Sequence, residues 1–81
     1  MVRTEIKKTV DDLLVDLLGI SESEIRDDAD LKEDFGCDSL DCVEIVMALE
    51  KEFLIAIPDE KAEACRTVAQ VYDLVESVVN R

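Results

Sequence analysis

The sequence predicts an all-α fold: a small four-helix bundle of three long helices and one short third helix, with a long loop between helices one and two. Three observations carry that expectation. Apolar residues recur at helical spacing in three separate windows. Helix start and stop signals punctuate those windows. The one segment that reads as a buried strand by composition, Phe53 to Ile57, has no second strand to pair with. The 81 residues are read as one domain, 1–81, and a bundle closes a core in that length without further elements.

Ile6, Val10, Leu13, Leu14, Leu17 and Leu18 place helix one over about Thr4 to Leu18, with Gly19 as its stop. Ser21-Glu22-Ser23-Glu24 has the S-x-x-E form of a capping box and predicts at most one short turn. Arg26 to Gly36 is polar except for Leu31 and Phe35, which reads as a long ordered loop tied down by those two. Helix two is expected over about Ser39 to Phe53. Either Asp38 or Ser39 can cap it, and Asp41 in its first turn suits the helix dipole. Pro58 permits a short helix three over about Asp59 to Ala64. Thr67-Val68-Ala69-Gln70 is a T-x-x-Q capping box, followed at helical spacing by Val68, Val71, Tyr72, Val75, Val78 and Val79 as helix four. Valines are mediocre helix formers, so tertiary packing must hold this helix.

Composition narrows the function. The chain carries 21 acids against 9 bases, a net charge of −12. That argues against nucleic acid or an anionic membrane as partner and for basic docking patches on partner proteins. Self-repulsion on this scale predicts that divalent cations stabilise the fold. An apolar fraction of 48% separates the chain from disordered acidic tails. No apolar run exceeds five residues, so no membrane span is expected, and the N-terminus has no secretory apolar region. Cys37, Cys42 and Cys65 are an odd number with no histidine and no C-x-x-C, which points away from zinc and from a disulfide framework and towards small buried or half-buried thiols in a reducing compartment. No metal site is expected. A small acidic calcium-binding regulator is the alternative from another class. It fails on spacing, because Asp28 and Asp30 are followed by Leu31 and Lys32 with no glycine.

Ser39 stands between Asp38 and Asp41 at the start of helix two, in a chain without histidine. It cannot be the nucleophile of a Ser-His-Asp triad, and neither G-x-S-x-G nor S-x-x-K surrounds it. The chain is therefore not expected to be an enzyme. A hydroxyl at a helix N-terminus remains accessible to modification by another enzyme. Gly36 supplies flexibility just before it. The helix terminus favours an attached phosphate while the two aspartates oppose it, so such a group would not be clamped. N-cap serines are common, and without its flanking pattern Ser39 reads first as a plain N-cap.

Helix two carries two apolar stripes. Cys42, Ile45, Val46, Leu49 and Phe53 form a broad one, expected to face the core. Leu40, Val43, Met47 and Ala48 do not all fit beneath it. They either offer a surface to a partner, for which the flexible Met47 thioether is suited, or pack under the long loop. Residues 34 to 63 hold nine acids (Asp34, Asp38, Asp41, Glu44, Glu50, Glu52, Asp59, Glu60 and Glu63) and two bases, Lys51 and Lys61. This is either a docking field around Ser39 or a solvated face.

Asp38-Ser39-Leu40-Asp41, the helix from Val43 to Phe53 and the segment Ile57-Pro58-Asp59-Glu60 together closely resemble the acyl carrier proteins of type II fatty-acid synthesis. The resemblance covers nearly the whole chain, and the Asp-Ser-Leu core is its most specific part. It implies that Ser39 carries a covalent 4′-phosphopantetheine arm, installed from coenzyme A by a phosphopantetheinyl transferase (a holo-acyl-carrier-protein synthase). The arm's thiol would hold growing fatty acyl chains as thioesters for the fatty-acid synthase enzymes. The resemblance decides the second stripe in favour of a partner face comprising Asp38, Leu40, Asp41, Val43, Glu44, Met47, Glu50, Asp59 and Glu60. It also implies an acyl-chain pocket between helices two, three and four, lined by Val46, Leu49, Ile57, Ala62, Cys65 and Val71. The chain departs from the pattern in places. Cys37 and Cys42 replace an alanine and a threonine, Cys65 stands where a larger aliphatic residue is common, and Lys51 takes the place of an acid. A specialised, polyketide-type carrier is the nearest alternative. Peptidyl carriers usually show a Gly-Gly pair before the serine, which is absent here. A monomer in the cytoplasm is expected, or in a mitochondrial matrix or plastid after removal of a transit peptide.

Overall fold

A computed structural model of the protein describes residues 1–80. Four helices follow in order: α1 over Arg3–Leu18, α2 over Ser39–Phe53, α3 over Asp59–Glu63 and α4 over Val68–Val79. A single 3-10 turn, Glu22–Glu24, follows α1. Among the described residues there is no strand, only an isolated antiparallel bridge between Asp30 and Thr67. The small helical bundle expected from the pattern is therefore the observed fold. α1 begins one residue earlier than its spacing suggested, and α3 ends one residue sooner, with Ala64 as its cap.

The core is built from Ile6, Val10 and Leu14 of α1, Ile45 and Leu49 of α2, Val68, Val71, Tyr72 and Val75 of α4, and four residues outside the helices: Ala29, Leu31, Cys37 and Ile57. One core assignment needs correction, and the helical spacing of α1 includes one residue that the core does not. Leu17 is exposed, because it lies past the edge of the face that α1 turns inward. Cys42 is also exposed, since the first turn of α2 runs clear of the core and Ile45 is its first buried residue.

The long connection between α1 and α2 is held by backbone pairing and by burial. The Leu31 N–H donates to the Arg66 carbonyl at 2.8 Å, and the Val68 N–H to the Ala29 carbonyl at 3.0 Å. Asp30 then closes a tight turn. Its Oδ1 accepts from the N–H groups of Lys32 and Glu33, both at 2.9 Å, and its own N–H donates to Asp34 Oδ2 at 2.7 Å. The Glu33 and Lys32 N–H groups, helped by the nearby Arg66 guanidinium, hold the Asp30 carboxyl below its ordinary range. Gly36, at φ +69°, ends that turn and delivers the chain to Cys37 and α2. Leu31 is the loop's full anchor, and Phe35 is only partly buried against the core.

α1 and α2 stop differently. α1 closes on Gly19 at φ +67°, its N–H donating to the Val15 carbonyl at 3.0 Å. α2 closes on Leu54 in the same left-handed region, at φ +56°. The Leu54 N–H donates to the Glu50 carbonyl, and the Ile55 N–H reaches the same carbonyl at 3.1 Å, a Schellman-type stop. Glycine takes this conformation freely, whereas a leucine in it costs about 1–2 kcal/mol.

Candidate functional site

Asp38 caps α2. Its Oδ1 accepts from the Asp41 N–H at 2.9 Å, and Asp41 Oδ2 accepts from the Asp38 N–H at 3.3 Å. This reciprocal box settles the choice that the sequence left open, because Asp38 takes the capping position and Ser39 becomes the first helical residue. Its side chain is exposed, at the positive end of the helix dipole and with two carboxylates committed to the backbone beside it.

Ser39 lies on the wall of an open groove of about 930 Å³. α2 contributes Cys42, Val43, Val46, Met47 and Glu50 to the same groove, at spacings that keep them on one side of the helix. The connection before α2 lines it through Leu31, Cys37 and Asp38, and the α3 region through Asp59, Ala62 and Cys65. Beneath it is a narrow apolar cavity of about 30 Å³. Val46, Leu49, Ile57, Ala62, Cys65 and Val71, the six residues expected to surround an acyl chain, all line this cavity. Leu31, Cys42, Val46, Ala62 and Cys65 line both spaces, so they form the partition between groove and cavity. A space of that size holds about one or two waters and no long chain without displacement of its walls.

The nine residues expected on the partner face divide by environment. Leu40, Val43 and Met47 are 65%, 54% and 62% exposed, a row of large apolar side chains open to water. Asp38, Glu44, Asp59 and Glu60 are exposed as well. Asp41 is half-buried in the capping box. Glu50 is half-buried and has a structural partner, since its Oε2 accepts from the Ile57 N–H at 2.8 Å and so ties α2 to the segment before α3.

All three thiols line the groove, Cys42 from α2, Cys37 from the connection before it and Cys65 from the α3 side. Burial pushes the Cys37 thiol up to about 11, with the charges of Cys42, Asp41 and Asp38 adding to it. Burial, then Asp41 and Asp38, raises Cys42, and burial with Asp73 raises Cys65. The thiolate is the nucleophilic form, so these groups are weaker nucleophiles than a free cysteine. Sequence reasoning placed Cys42 in the core and did not link the three thiols. The one available signal was the three-residue spacing of Ser39 and Cys42 on α2.

Among the described residues, no cluster of three or more metal-ligating side chains is formed, and no helix is long and apolar enough to cross a membrane. The arrangement is instead that of a receiving site: an accessible hydroxyl beside a groove large enough for an extended polar substituent, over an apolar partition. That fits a covalently attached phosphopantetheine. The family model described as "Phosphopantetheine attachment site" matches residues 8–75. The chain belongs to that family, whose members bear covalent 4′-phosphopantetheine as carrier domains rather than catalysts and receive it from a phosphopantetheinyl transferase.

Proposed function

We propose that this phosphopantetheine-bearing carrier serves type II fatty-acid synthesis, with Ser39 as its attachment point. The observation that carries the reading is the division of labour at the start of α2. Asp38 satisfies the helix terminus, which leaves the neighbouring serine exposed beside the groove. When attached, the arm supplies a thiol that holds acyl groups as thioesters. The chain's own residues anchor, present and shelter. Asp38 and Asp41 disfavour clamping of the phosphate, so the arm is free to swing. The raised thiols of Cys42 and Cys65 limit their competition for the arm's cargo.

Leu40, Val43 and Met47 supply contact area, and Asp38, Glu44, Asp59 and Glu60 steer a basic partner surface towards Ser39. The apolar cavity under the partition is the start of the acyl pocket. α3 is its movable wall, a reading supported by the absence of any fully buried residue in that five-residue helix. The fatty-acid assignment rests on the Asp38-Ser39-Leu40-Asp41 and Ile57-Pro58-Asp59-Glu60 segments. A reducing compartment, cytoplasm or organelle matrix, suits the three free cysteines.

Intact mass tests the attachment point. Co-expressed with a phosphopantetheinyl transferase, the chain gains the mass of one phosphopantetheine, and Ser39→Ala gains none. An arm on Ser39→Ala, or none on the natural chain, refutes the assignment. Elongation of the loaded chain by fatty-acid rather than polyketide enzymes tests the pathway class.

A further inference from the structure

Cys37 and Cys42 flank Ser39, and the capping box fixes how they stand to each other. Asp38 is the N-cap of α2, and Asp41 closes the box with it at 2.9 and 3.3 Å. Cys37 is therefore the residue before the cap, and Cys42 is the fourth residue of the helix. Side chains at these two positions meet across the first turn in a hydrophobic staple, the apolar companion of the capping box. Here both are thiols. Both also line the same groove. Among the charges that raise the Cys37 thiol, that of Cys42 weighs more than those of Asp41 and Asp38, as its nearness requires.

The third thiol is placed differently. Cys65 lies on the α3 side and donates to the Lys61 and Gln70 carbonyls at 3.6 and 3.7 Å. The two that flank Ser39 divide between outside and inside. Cys42 is exposed to a reagent in solution, and Cys37 is 3% exposed. A bridge asks Cys42 to lean inwards. The first turn of α2 has room to give, because Ile45 is the first buried residue of that helix. Ser39 lies between the two cysteines in the chain. A bond between the thiols therefore shuts the modifiable hydroxyl inside a small covalent ring and cuts it off from the flexibility of Gly36.

We propose that Cys37 and Cys42 are a redox-sensitive pair, closed into a disulfide by a small-molecule disulfide such as that of glutathione, and that closure slows attachment of the arm to Ser39. Cys42 loses its proton to water and attacks one sulfur of glutathione disulfide. A Cys42–glutathione bond forms, and the first glutathione leaves as a thiolate and takes up a proton. Cys37 then loses its proton, attacks the Cys42 sulfur and expels the second glutathione. Two protein thiols are oxidised, and one glutathione disulfide is reduced to two glutathiones. Both protein thiols ionise reluctantly, so a reduced thiol pool leaves the pair open and closure follows an excess of disulfide. An exposed bridge in a small ring is of the readily reduced kind, so the state reverses. The effect on the arm rests on Ser39 as its attachment point, and the disulfide itself does not.

The test treats the complete apo chain with glutathione disulfide, beside Cys42→Ser and Cys65→Ala. The intact mass of the natural chain and of Cys65→Ala falls by two hydrogens, and peptide mapping places the loss on the peptide that holds Cys37 and Cys42. Cys42→Ser shows no such loss. Arm transfer is then read with a phosphopantetheinyl transferase and acetyl-coenzyme A, whose blocked thiol does not reduce the bridge. The oxidised natural chain accepts the arm about ten-fold more slowly than the reduced one, equal to ~1.4 kcal/mol in the barrier, and a dithiol reductant restores the rate. Treatment leaves the rate of Cys42→Ser where it was. A natural chain that stops at a glutathione adduct, stays fully reduced, or bridges through Cys65 or to a second copy overturns the pair and leaves the carrier reading intact. A bridged chain that takes the arm at the reduced rate overturns the control of Ser39. A reduced natural chain that accepts no arm removes the carrier assignment, while the mass of the treated chain still decides the pair.

Discussion

Tyr72 on α4 is 1% exposed and Met47 on α2 is 62% exposed, and the surroundings of each follow from that difference. Tyr72 belongs to a closed seam between α1 and α4. Its hydroxyl donates to Asp11 Oδ1, a carboxylate itself 7% exposed. Lys7 Nζ donates to the same hydroxyl at 3.3 Å, pairs with Asp11 at 3.6 Å and stands 4.9 Å from the ring centre. Arg3 lies over the ring and bonds Asp73 at 2.8 Å. Among the described residues no buried side-chain polar atom lacks a partner, so the buried acid is tolerated there. Met47 belongs to the opposite arrangement. There apolar side chains remain in water beside an open groove, and polar partners are spent on the backbone at Asp38 and Glu50. One region is organised for stability. The other keeps surface available, and a domain of this size must draw most of its stability from the first.

Truncation gives the largest test of that contrast. Leu14→Ala, in the closed seam at 0% exposure, is expected to lower unfolding free energy by about 3 kcal/mol in urea titration. Met47→Ala is expected to change it by less than ~0.5 kcal/mol. Equal losses at the two positions would erase the distinction.

Tyr72→Phe removes one donor from the seam and keeps the ring. Asp11 then retains Lys7 alone, and a loss of about 1–2 kcal/mol is expected by the same titration. The contrast sharpens if Val43→Ala, a change of comparable size on the open face, stays within ~0.5 kcal/mol.

Cys37 links the two regions, because it is buried in the core yet lines the groove. Its folded thiol holds its proton up to about 11, against an ordinary value of 9.0. Below 9.0 both states are protonated and the contribution is fully present. As pH rises from there through about 11, the unfolded chain ionises first, so stability is lost with rising pH. The part due to Cys37 is on the order of 1 kcal/mol by the top of that window. Cys37→Ala should flatten the decline, leaving the part due to Tyr72, whose hydroxyl burial and Asp11 also raise. Chemical denaturation at the two ends of the window measures the difference.

The smallest effects are electrostatic. Charge reversal at Glu44 or Asp59, which are exposed and cap nothing, should slow arm transfer by a factor of about 1.5–5 per site, as expected for exposed pairs worth ~0.2–1 kcal/mol each. Reversal of Glu76, beside Arg3 on the closed side, should leave the rate unchanged. Equal slowing at all three would remove the directional role of the open face.

Much of this division was legible before any coordinates. Helical spacing located α1, α2 and α4 because a helix buries one face, and that periodicity is written residue by residue. The T-x-x-Q and Asp38–Asp41 pairs marked helix starts, since capping acts over three residues. The six pocket residues were named through family likeness, and the structure brings them around one cavity. Asp11 was not legible as a core residue. A carboxylate on a helix reads as solvated until its partners, 4 and 61 residues away, are known. Nor was Leu54, which by composition belonged to a buried run.

By itself the sequence determined where the helices lie, that they close an all-α core, and that an acid-flanked serine stands at the head of the second one. Only the tertiary structure decided that Asp38 rather than Ser39 caps that helix, that Ala29 of the long loop joins the expected anchor Leu31 in the core, and that Cys42 and Leu54 do not. Periodicity and capping depend on residues three or four apart, which the chain order supplies directly. Burial outside helices depends on which distant backbone groups pair, as between Leu31 and Arg66, and the chain order does not state those pairings.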